Sequence, residues 1–247
     1  MVEPLLLTTA RITTFLGDSA LTNASSFLFE RDRQLFLVTS RHVVNDDPSN
    51  HHPDRIELEL HTNPKNIAES TSLSLPLYVS GGALWRQGLD SSGAIDIAVI
   101  PIDRNLMPRQ SLYKAFTLES LVTTQYDAIE VGSSLLILGF PLGFHDTLHH
   151  LPVARHAMIA SSFGLRFQGE GYFLTDARTH RGSSGAPVVM KMPSKKACKK
   201  RLPWFLLGVH SSRMDMQTRA QELDEALGLN CAWYADILIA LTKPVPH

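Results

Sequence analysis

The sequence has few cysteines, no long apolar run and almost no net charge. Its two cysteines, Cys198 and Cys231, exclude a scaffold held together by several disulfides. No apolar run approaches the ~20 residues that span a bilayer. The N-terminal stretch has only three consecutive leucines and no basic flank, so we expect no secretory signal, no membrane partner and a cytoplasmic location. A net charge of −1 provides no overall basic field and argues against a nucleic-acid partner.

Short apolar segments separated by polar turns predict an all-β fold, because they are rich in β-branched and aromatic residues. The predicted strands are residues 11–15, 26–30, 34–38, 55–61, 95–102, 134–140, 157–163, 172–175, 186–190, 205–210 and 232–235. About ten short strands with little helix indicate a barrel or a sandwich. Two helices are predicted, one on the surface at 214–227 and one at 237–241 with Asp236 as its N-cap.

The sequence Arg-Gly-Ser-Ser-Gly-Ala-Pro at 181–187 suggests a nucleophilic serine. A serine hydroxyl is a weak nucleophile that needs a nearby base and donors for the oxyanion it creates. Small residues let the backbone turn tightly, so the amides of Gly182 and Ser184 can point at one spot. The alternative interpretation is an ordinary turn before a strand.

A candidate base and a candidate acid lie earlier in the chain. His42 follows an apolar strand, where a loop presents side chains to a cleft. Asp96 interrupts an apolar strand, and a buried carboxylate requires a partner such as an imidazole. The alternatives are a structural or solvated histidine and an aspartate facing water from an edge strand.

The order His42, Asp96, Ser184 between apolar strands resembles the trypsin-like, or chymotrypsin-fold, serine peptidases. Residues 38–44, 96–99, 139–143 and 175–177 are similar to the disulfide-poor HtrA/Deg proteases of bacteria. The resemblance covers nearly the whole chain from about residue 9. It leaves no residues for the PDZ domain of those enzymes, which implies a stand-alone protease domain.

The resemblance implies two six-stranded antiparallel β-barrels with a short C-terminal helix and the active site between them. The first barrel, residues 1–125, would carry His42 and Asp96, and the second, residues 126–247, would carry Ser184 and the specificity pocket. His42 would accept the serine proton, Asp96 would orient the imidazole, and the amides of Gly182 and Ser184 would form the oxyanion hole. The implied activity is hydrolysis of polypeptide substrates without metal or organic cofactor.

The specificity pocket is predicted from residues before the nucleophile and on a later strand. Thr179 and His210 match a pair that holds the substrate's carboxylate in staphylococcal-type glutamyl endopeptidases, and Arg178 matches the pocket floor of trypsin. Ser211 and Ser212 complete the predicted substrate-binding set. A preference for Glu, another acidic residue or Gln before the scissile bond follows, because charge-assisted hydrogen bonds select against neutral side chains. A small apolar pocket, as in HtrA/Deg enzymes, is the alternative.

Ser183 stands where secreted digestive relatives carry the aspartate that pairs with a newly cut N-terminal amine. A serine cannot form that ion pair, so we expect no activation by N-terminal cleavage. The histidines at 145, 149, 150 and 156 lack a further ligand at a diagnostic spacing, so no metal site is predicted.

A second hypothesis is a catalytically silent trypsin-fold module that binds a protein partner. Its binding surfaces would be the lysine-rich loop at 191–203 and the 214–227 helix. The simpler interpretation of the loop is a solvated hairpin tip. A regulatory protein partner remains open for an active protease as well.

Overall fold

A computed structural model describes residues 2–124, 129–193, 202–213 and 227–244, with Arg213 described by its backbone only. The strands are β1 (Thr9–Leu16), β2 (Ser19–Arg31), β3 (Gln34–Thr39), β4 (Arg55–His61), β5 (Ser70–Pro76), β6 (Tyr78–Val79), β7 (Gly82–Ala83), β8 (Arg86–Asp90), β9 (Gly93–Ile102), β10 (Phe116–Thr117), β11 (Ser134–Gly139), β12 (Val153–Met158), β13 (Tyr172–Thr175), β14 (Pro187–Lys191), β15 (Trp204–Arg213) and β16 (Asn230–Tyr234). The helices are α1 (Arg41–Val44) and α2 (Leu238–Leu241). Short 3₁₀ turns lie at Leu6–Thr8, Asp47–Ser49, Arg104–Leu106, Leu118–Ser120, Pro141–Gly143, Phe167–Gly169 and Ala235–Ile237.

The strands form two large sheets. The first has eight strands in the order β5-β4-β1-β2-β3-β9-β8, with β10 paired to β2, and the second has six in the order β12-β11-β14-β15-β16-β13. Strands β6 and β7 form a separate hairpin. Nearly all of these pairs are antiparallel, which matches the short connections between successive strands.

The apolar core consists of three clusters. One is enclosed by the first sheet, one by the second, and the third contains residues of both. The third cluster includes Phe27, Phe29 and Val99 from the first sheet and Val189, Leu206 and Trp233 from the second. The sheets therefore share a core, and the segments at its edge are positioned by both of them.

Strand β2 shows why several strands are apolar on both faces. Phe27 and Phe29 point into the cluster shared by the sheets, whereas Leu28 points into the cluster enclosed by the first sheet. Successive side chains of a strand alternate between its faces, so a strand between two cores needs an unbroken apolar run. This accounts for the apolar run at residues 27–29.

The predicted all-β, chymotrypsin-like class is confirmed. The first sheet has eight strands instead of six, because the short strands β8 and β10 are added beside β9 and β2. The strand predicted at 157–163 is wrong in position: β12 spans Val153–Met158 and pairs with β11. Its alternating buried and exposed residues mark an edge strand, which a search for apolar runs misses. Ile159 and Phe163 are apolar because they fill the second core.

The end of the chain differs in one detail. Residues 235–237 form a 3₁₀ turn that leads into α2, and Asp236 lies inside that turn instead of capping a helix. The helix predicted at 214–227 and most of the lysine-rich loop at 191–203 lie outside the described residues. None of the helices among the described residues combines the length and the apolar character needed to cross a membrane.

Candidate active site

His42 lies on α1, a single helical turn directly after β3. Ser40 is extended, and the chain then turns sharply so that Val43 and Val44 enter the first core. Burial of these two valines fixes the rotation of the turn. The His42 side chain consequently faces the opposite way, and 33% of it is exposed.

Asp96 lies near the beginning of β9 and holds His42 at two points. One carboxylate oxygen is 2.8 Å from Nδ1 of the His42 ring, and the other accepts a hydrogen bond of 2.9 Å from the His42 backbone amide. Ser211 of β15 donates a third hydrogen bond to the same carboxylate. The carboxylate is therefore well satisfied although only 17% of its side chain is exposed.

This arrangement shifts both pKa values in the directions that favour an ion pair. Burial alone lowers the pKa of His42, but the hydrogen bond and charge of Asp96 outweigh it and raise the pKa above the ordinary 6.5. Burial alone raises the pKa of Asp96, but its contacts with His42 and Ser211 outweigh that effect and lower the pKa. With Asp96 ionised, Nδ1 carries a proton and Nε2 of the neutral ring is left as the acceptor.

Ser184 lies in a tight turn whose conformation depends on two glycines. Gly182 and Gly185 have φ values of +88° and +84°, in the region that favours glycine. A Cβ on Gly182 would lie 2.5 Å from the Phe140 carbonyl oxygen, and a Cβ on Gly185 would clash with Ser25 and Thr39. The Gly-Ser-Ser-Gly motif is thus a packing requirement as well as a turn signal.

The backbone of the turn is bonded to both sheets. The Ser184 carbonyl accepts a hydrogen bond of 3.0 Å from the Ser25 amide of β2. The Gly185 amide donates to the His210 carbonyl of β15 at 2.8 Å, and Ser40 donates its hydroxyl to the same carbonyl at 3.2 Å. The segments that carry Ser184 and His42 therefore meet at one carbonyl group.

The Ser184 hydroxyl donates to the Ser211 carbonyl at 3.0 Å. Because the Ser211 hydroxyl contacts Asp96, one residue touches both the serine and the carboxylate. Among the described residues, the hydrogen bonds of the Ser184 hydroxyl do not include the His42 ring. The structure thus brings the three predicted catalytic residues into one network, with His42 and Ser184 joined through Asp96 and Ser211.

The two predicted oxyanion donors have no acceptor among the described residues. The Arg181 carbonyl accepts a hydrogen bond of 2.5 Å from the Leu142 amide. Since the C=O and N–H of a trans peptide point in opposite directions, this bond turns the Gly182 amide away from Leu142. Within the part of the chain that the structure describes, the amides of Gly182 and Ser184 donate to no acceptor.

Ser25 is a residue of the site that the sequence reasoning missed. Its buried hydroxyl donates to the Gly182 carbonyl at 2.7 Å and accepts a hydrogen bond of 3.0 Å from the Phe140 amide. Ser25 thereby connects β2 to the nucleophile turn and to the segment that precedes Leu142. The available signal was a pair of serines, Ser25 and Ser26, inside the buried and otherwise apolar stretch at residues 24–29.

Two of the five predicted substrate-binding residues lie in the interior, Thr179 in the segment after β13 and His210 on β15. Thr179 and His210 are both buried, at 5% and 2% exposure. Thr179 donates its hydroxyl to the side-chain oxygen of Asn230 at 2.5 Å, and the Asn230 amide donates to the Ala177 carbonyl at 2.5 Å. Asn230 is thus a further polar residue of this region, and its sequence context gives no signal for that role.

The other three residues are placed differently. Ser211 is turned towards Asp96, as described above, and Ser212 is exposed. Arg178 is exposed and lines a separate cavity with Leu142 and Arg155. Arg178 is exposed between two buried residues, Ala177 and Thr179, so its side chain faces away from Thr179.

Comparisons with known proteins identify the family and the fold. Residues 24–192, more than half of the chain, match the family model described as a trypsin-like peptidase domain. No sequence among the curated proteins matches the chain.

Solved structures share the fold. The HtrA-type protease AlgW with a tripeptide is 17% identical, with a TM-score of 0.54 over 95% of this chain and 58% of that one. A serine endoprotease from Yersinia pestis is 14% identical, with a TM-score of 0.55 over 95% and 61%. The inactive form of the Rv3671c protease is 12% identical, with a TM-score of 0.51 over 96% and 89%.

At these identities the structural likeness concerns the fold alone. The chain spans about three-fifths of the length of the first two of these proteins. The family model covers both the predicted base and the predicted nucleophile. With the fold, the turn at Ser184 and the family match in agreement, the chain belongs to the trypsin-like peptidase family.

Proposed function

We propose that this chain is a serine endopeptidase in which Ser184 is the nucleophile, His42 the general base and Asp96 the group that orients and stabilises the imidazole. The family match supports serine protease activity. The assignment of the three residues rests on their contacts. Its main support is the continuous series of hydrogen bonds that runs from His42 through Asp96 and Ser211 to Ser184.

The reaction requires the Ser184 hydroxyl to leave the Ser211 carbonyl and reach Nε2 of His42. Rotation about the first side-chain torsion moves the oxygen between staggered positions without moving the backbone. The Ser184 carbonyl is held by Ser25 and the Gly185 amide by His210, so the rotation does not disturb the turn. Catalytic hydrogen bonds that are absent in a free enzyme commonly form when substrate binds.

The chemical steps then follow from the positions of the donors and acceptors. Nε2 of His42 takes the Ser184 proton as the serine oxygen attacks the scissile carbonyl carbon. The free amides of Gly182 and Ser184 stabilise the resulting oxyanion. His42 passes the proton to the leaving amine, and water, activated by the same ring, hydrolyses the acyl-enzyme.

For the residue before the scissile bond we retain the prediction of Glu, another acidic residue or Gln, with a small apolar residue as the alternative. Thr179, His210 and Asn230 are buried polar residues, and Thr179 is bonded to Asn230. The hydroxyl of Thr179 is committed to Asn230, so the two side chains act as a unit. This buried polar pair favours a substrate side chain that can hydrogen-bond.

The test is covalent labelling with a fluorophosphonate, which phosphonylates an activated serine and releases fluoride. Ser183→Ala is the matched control for Ser184→Ala, because both remove one hydroxyl from the same turn. We expect the wild type and Ser183→Ala to be labelled and Ser184→Ala to remain unlabelled. Labelling that persists in Ser184→Ala would refute the assignment of the nucleophile.

Profiling of cleavage sites in a peptide library tests the preference. Cleavage after Glu, Asp or Gln supports the predicted pocket, whereas cleavage only after Ala, Val or Leu supports the alternative. A folded wild type that is neither labelled nor active on the library would favour the binding-module hypothesis instead.

A further inference from the structure

A groove on the second sheet has no role in the proposed catalysis. It has a volume of about 620 Å³ and lies between the 3₁₀ turn Pro141–Gly143, strand β12 and the segment that precedes the nucleophile turn. Its charged or titratable lining consists of Arg155, His156, Arg178 and His180, with no acidic residue among the described lining residues. We call it the basic groove.

The positive charge of the basic groove is not neutralised within the described structure. No ion pair joins Arg155, Arg178 or the two histidines to a carboxylate among the described residues. Nε of Arg155 is buried and has no hydrogen-bond partner there. A buried guanidinium N–H without an acceptor costs free energy, so a ligand that supplies an anionic oxygen would relieve that cost.

Apolar side chains at the same groove indicate the size of the ligand. Leu142 and Phe144 line the groove and are 72% and 69% exposed. Exposed large apolar residues beside a concentration of one charge are typical of a protein-binding surface. A small inorganic anion would use the arginines but would leave Leu142 and Phe144 uncovered.

We propose that the basic groove binds an acidic polypeptide segment whose carboxylates pair with Arg155 and Arg178 and whose apolar residues cover Leu142 and Phe144. Bidentate pairing of guanidinium and carboxylate gives such a contact both affinity and orientation. The occupant is a separate binding partner and is not the residue that enters the predicted specificity pocket, because Arg178 faces away from Thr179.

Binding in the basic groove would contact the segment that shapes the oxyanion hole. Leu142 lines the groove, and its amide holds the Arg181 carbonyl. Arg178 and His180 lie just before the same turn. An occupied groove therefore restricts the motion of residues 141–144 and 178–182. Its effect on catalysis, through the position of the oxyanion donors, rests on the proposed function.

The test measures binding apart from catalysis. A short fluorescein-labelled polyglutamate peptide with a leucine at one end is titrated into the Ser184→Ala variant, and fluorescence anisotropy is recorded at low and high salt. We expect saturable binding that Arg178→Gln and Arg155→Gln each weaken about tenfold. Arg109→Gln, an exposed arginine elsewhere, is the matched control and should change nothing.

Two further measurements distinguish the proposal from its competitors. Hydrogen exchange should slow in peptides that cover 141–158 and 177–183 when the ligand is bound. Arg178→Glu, at an exposed position that does not threaten folding, should abolish binding and the protection. The polypeptide assignment would be overturned if millimolar inorganic phosphate displaced the peptide and the leucine of the peptide made no contribution to its affinity.

A competing site is the lysine-rich loop. If Lys195→Gln with Lys196→Gln removes binding while Arg178→Gln leaves it intact, the basic groove is not the site. Absence of binding to the folded Ser184→Ala variant would also overturn the proposal. Because that variant is inactive by design, either result is independent of whether the wild type is a protease.

Discussion

The carboxylate of Asp96 contacts His42 through both the ring and the backbone of that residue. The ring contact is 2.8 Å and the backbone contact 2.9 Å. The first orients the imidazole, and the second anchors the helical turn that carries it. Asp96 therefore fixes the position and the protonation of the candidate base together, and its replacement should affect both.

Asp96→Asn should lower the pKa of His42. In the wild type that pKa lies above 6.5 because the hydrogen bond and charge of Asp96 outweigh burial. The amide keeps the shape of the carboxylate but loses its charge, so burial then dominates. An NMR titration of the His42 ring protons measures both values. A pKa that stays the same or rises in the variant would contradict this account.

The loss of activity at low pH should follow the protonation of His42. A general base must be neutral to accept a proton, so kcat/KM should fall as the pH drops through the raised pKa of His42, above the ordinary 6.5. Asp96→Asn should also reduce kcat by about 10⁴-fold, since the ring adopts the wrong tautomer. Initial rates across the pH range check both effects.

The same pair links stability to pH in opposite directions. His42 has a raised pKa, so its contribution is complete below 6.5 and is lost as the pH rises through the folded value. Asp96 has a lowered pKa, so its contribution is present above 3.8 and is lost as the pH falls through the folded value. Urea unfolding of the wild type and of Asp96→Asn across this range should differ most between these limits.

Ser25→Ala should damage the predicted oxyanion hole without touching the side chains of His42, Asp96 and Ser184. The change removes the donor to the Gly182 carbonyl and the acceptor for the Phe140 amide. The loss of a buried hydrogen bond costs about 1–3 kcal/mol, and a loosened oxyanion donor reduces kcat by about 10–10³-fold. We expect KM to change little, which steady-state kinetics will test.

Ser26→Ala is the control for that experiment. Ser26 is equally buried in the same strand, but its hydroxyl donates to the Ala10 carbonyl at 2.9 Å, within the first sheet. The Ser26→Ala variant should lose about as much unfolding free energy as Ser25→Ala, but it should keep the kcat of the wild type. Equal losses of kcat in the two variants would mean that Ser25 has only a structural role.

Thr179→Val should uncouple the polar pair of the predicted specificity pocket. Valine has nearly the same shape but leaves the buried side-chain oxygen of Asn230 without its donor. We expect a loss of about 1–3 kcal/mol in unfolding free energy. If the pair selects polar substrate side chains, kcat/KM should fall more for Gln and Glu peptides than for Ala peptides. An equal decrease for all of them would remove Thr179 from the specificity determinants.

Cys231 should resist alkylation in the folded protein. It is 7% exposed, and burial raises its pKa to about 11. At a pH of about 8, roughly one thiol in a thousand is ionised. In a Cys198→Ser variant, mass spectrometry should detect no modification by iodoacetamide until denaturant is added. Rapid modification of the native variant would show that this part of β16 opens readily.

The sequence supports prediction of the fold and of the three catalytic candidates because their signals are local. His42 and Asp96 stand out as polar residues beside apolar strands, and the Gly-Ser-Ser-Gly motif marks the turn around Ser184. The roles of Ser25 and Ser211 depend on partners far away in the chain, such as Gly182 and Asp96. No pattern within a short window reveals those contacts.

The predicted substrate-binding residues show a second limit of prediction from the sequence. Resemblance suggested that Arg178 and Thr179 share a pocket, but Arg178 is exposed and Thr179 is buried, so the two side chains have different surroundings. The position of each side chain therefore depends on the exact register of that segment against its neighbours. The position of the edge strand β12 was predicted wrongly for a related reason, because the half-buried Arg155 and the exposed His156 interrupt its apolar pattern.

The bond between the Ser25 amide and the Ser184 carbonyl has a consequence for biosynthesis. It joins a strand made early to a turn made late, so a growing polypeptide lacks an organised nucleophile until most of it has emerged from the ribosome. Under the proposed function, catalysis by Ser184 begins only after both sheets have folded.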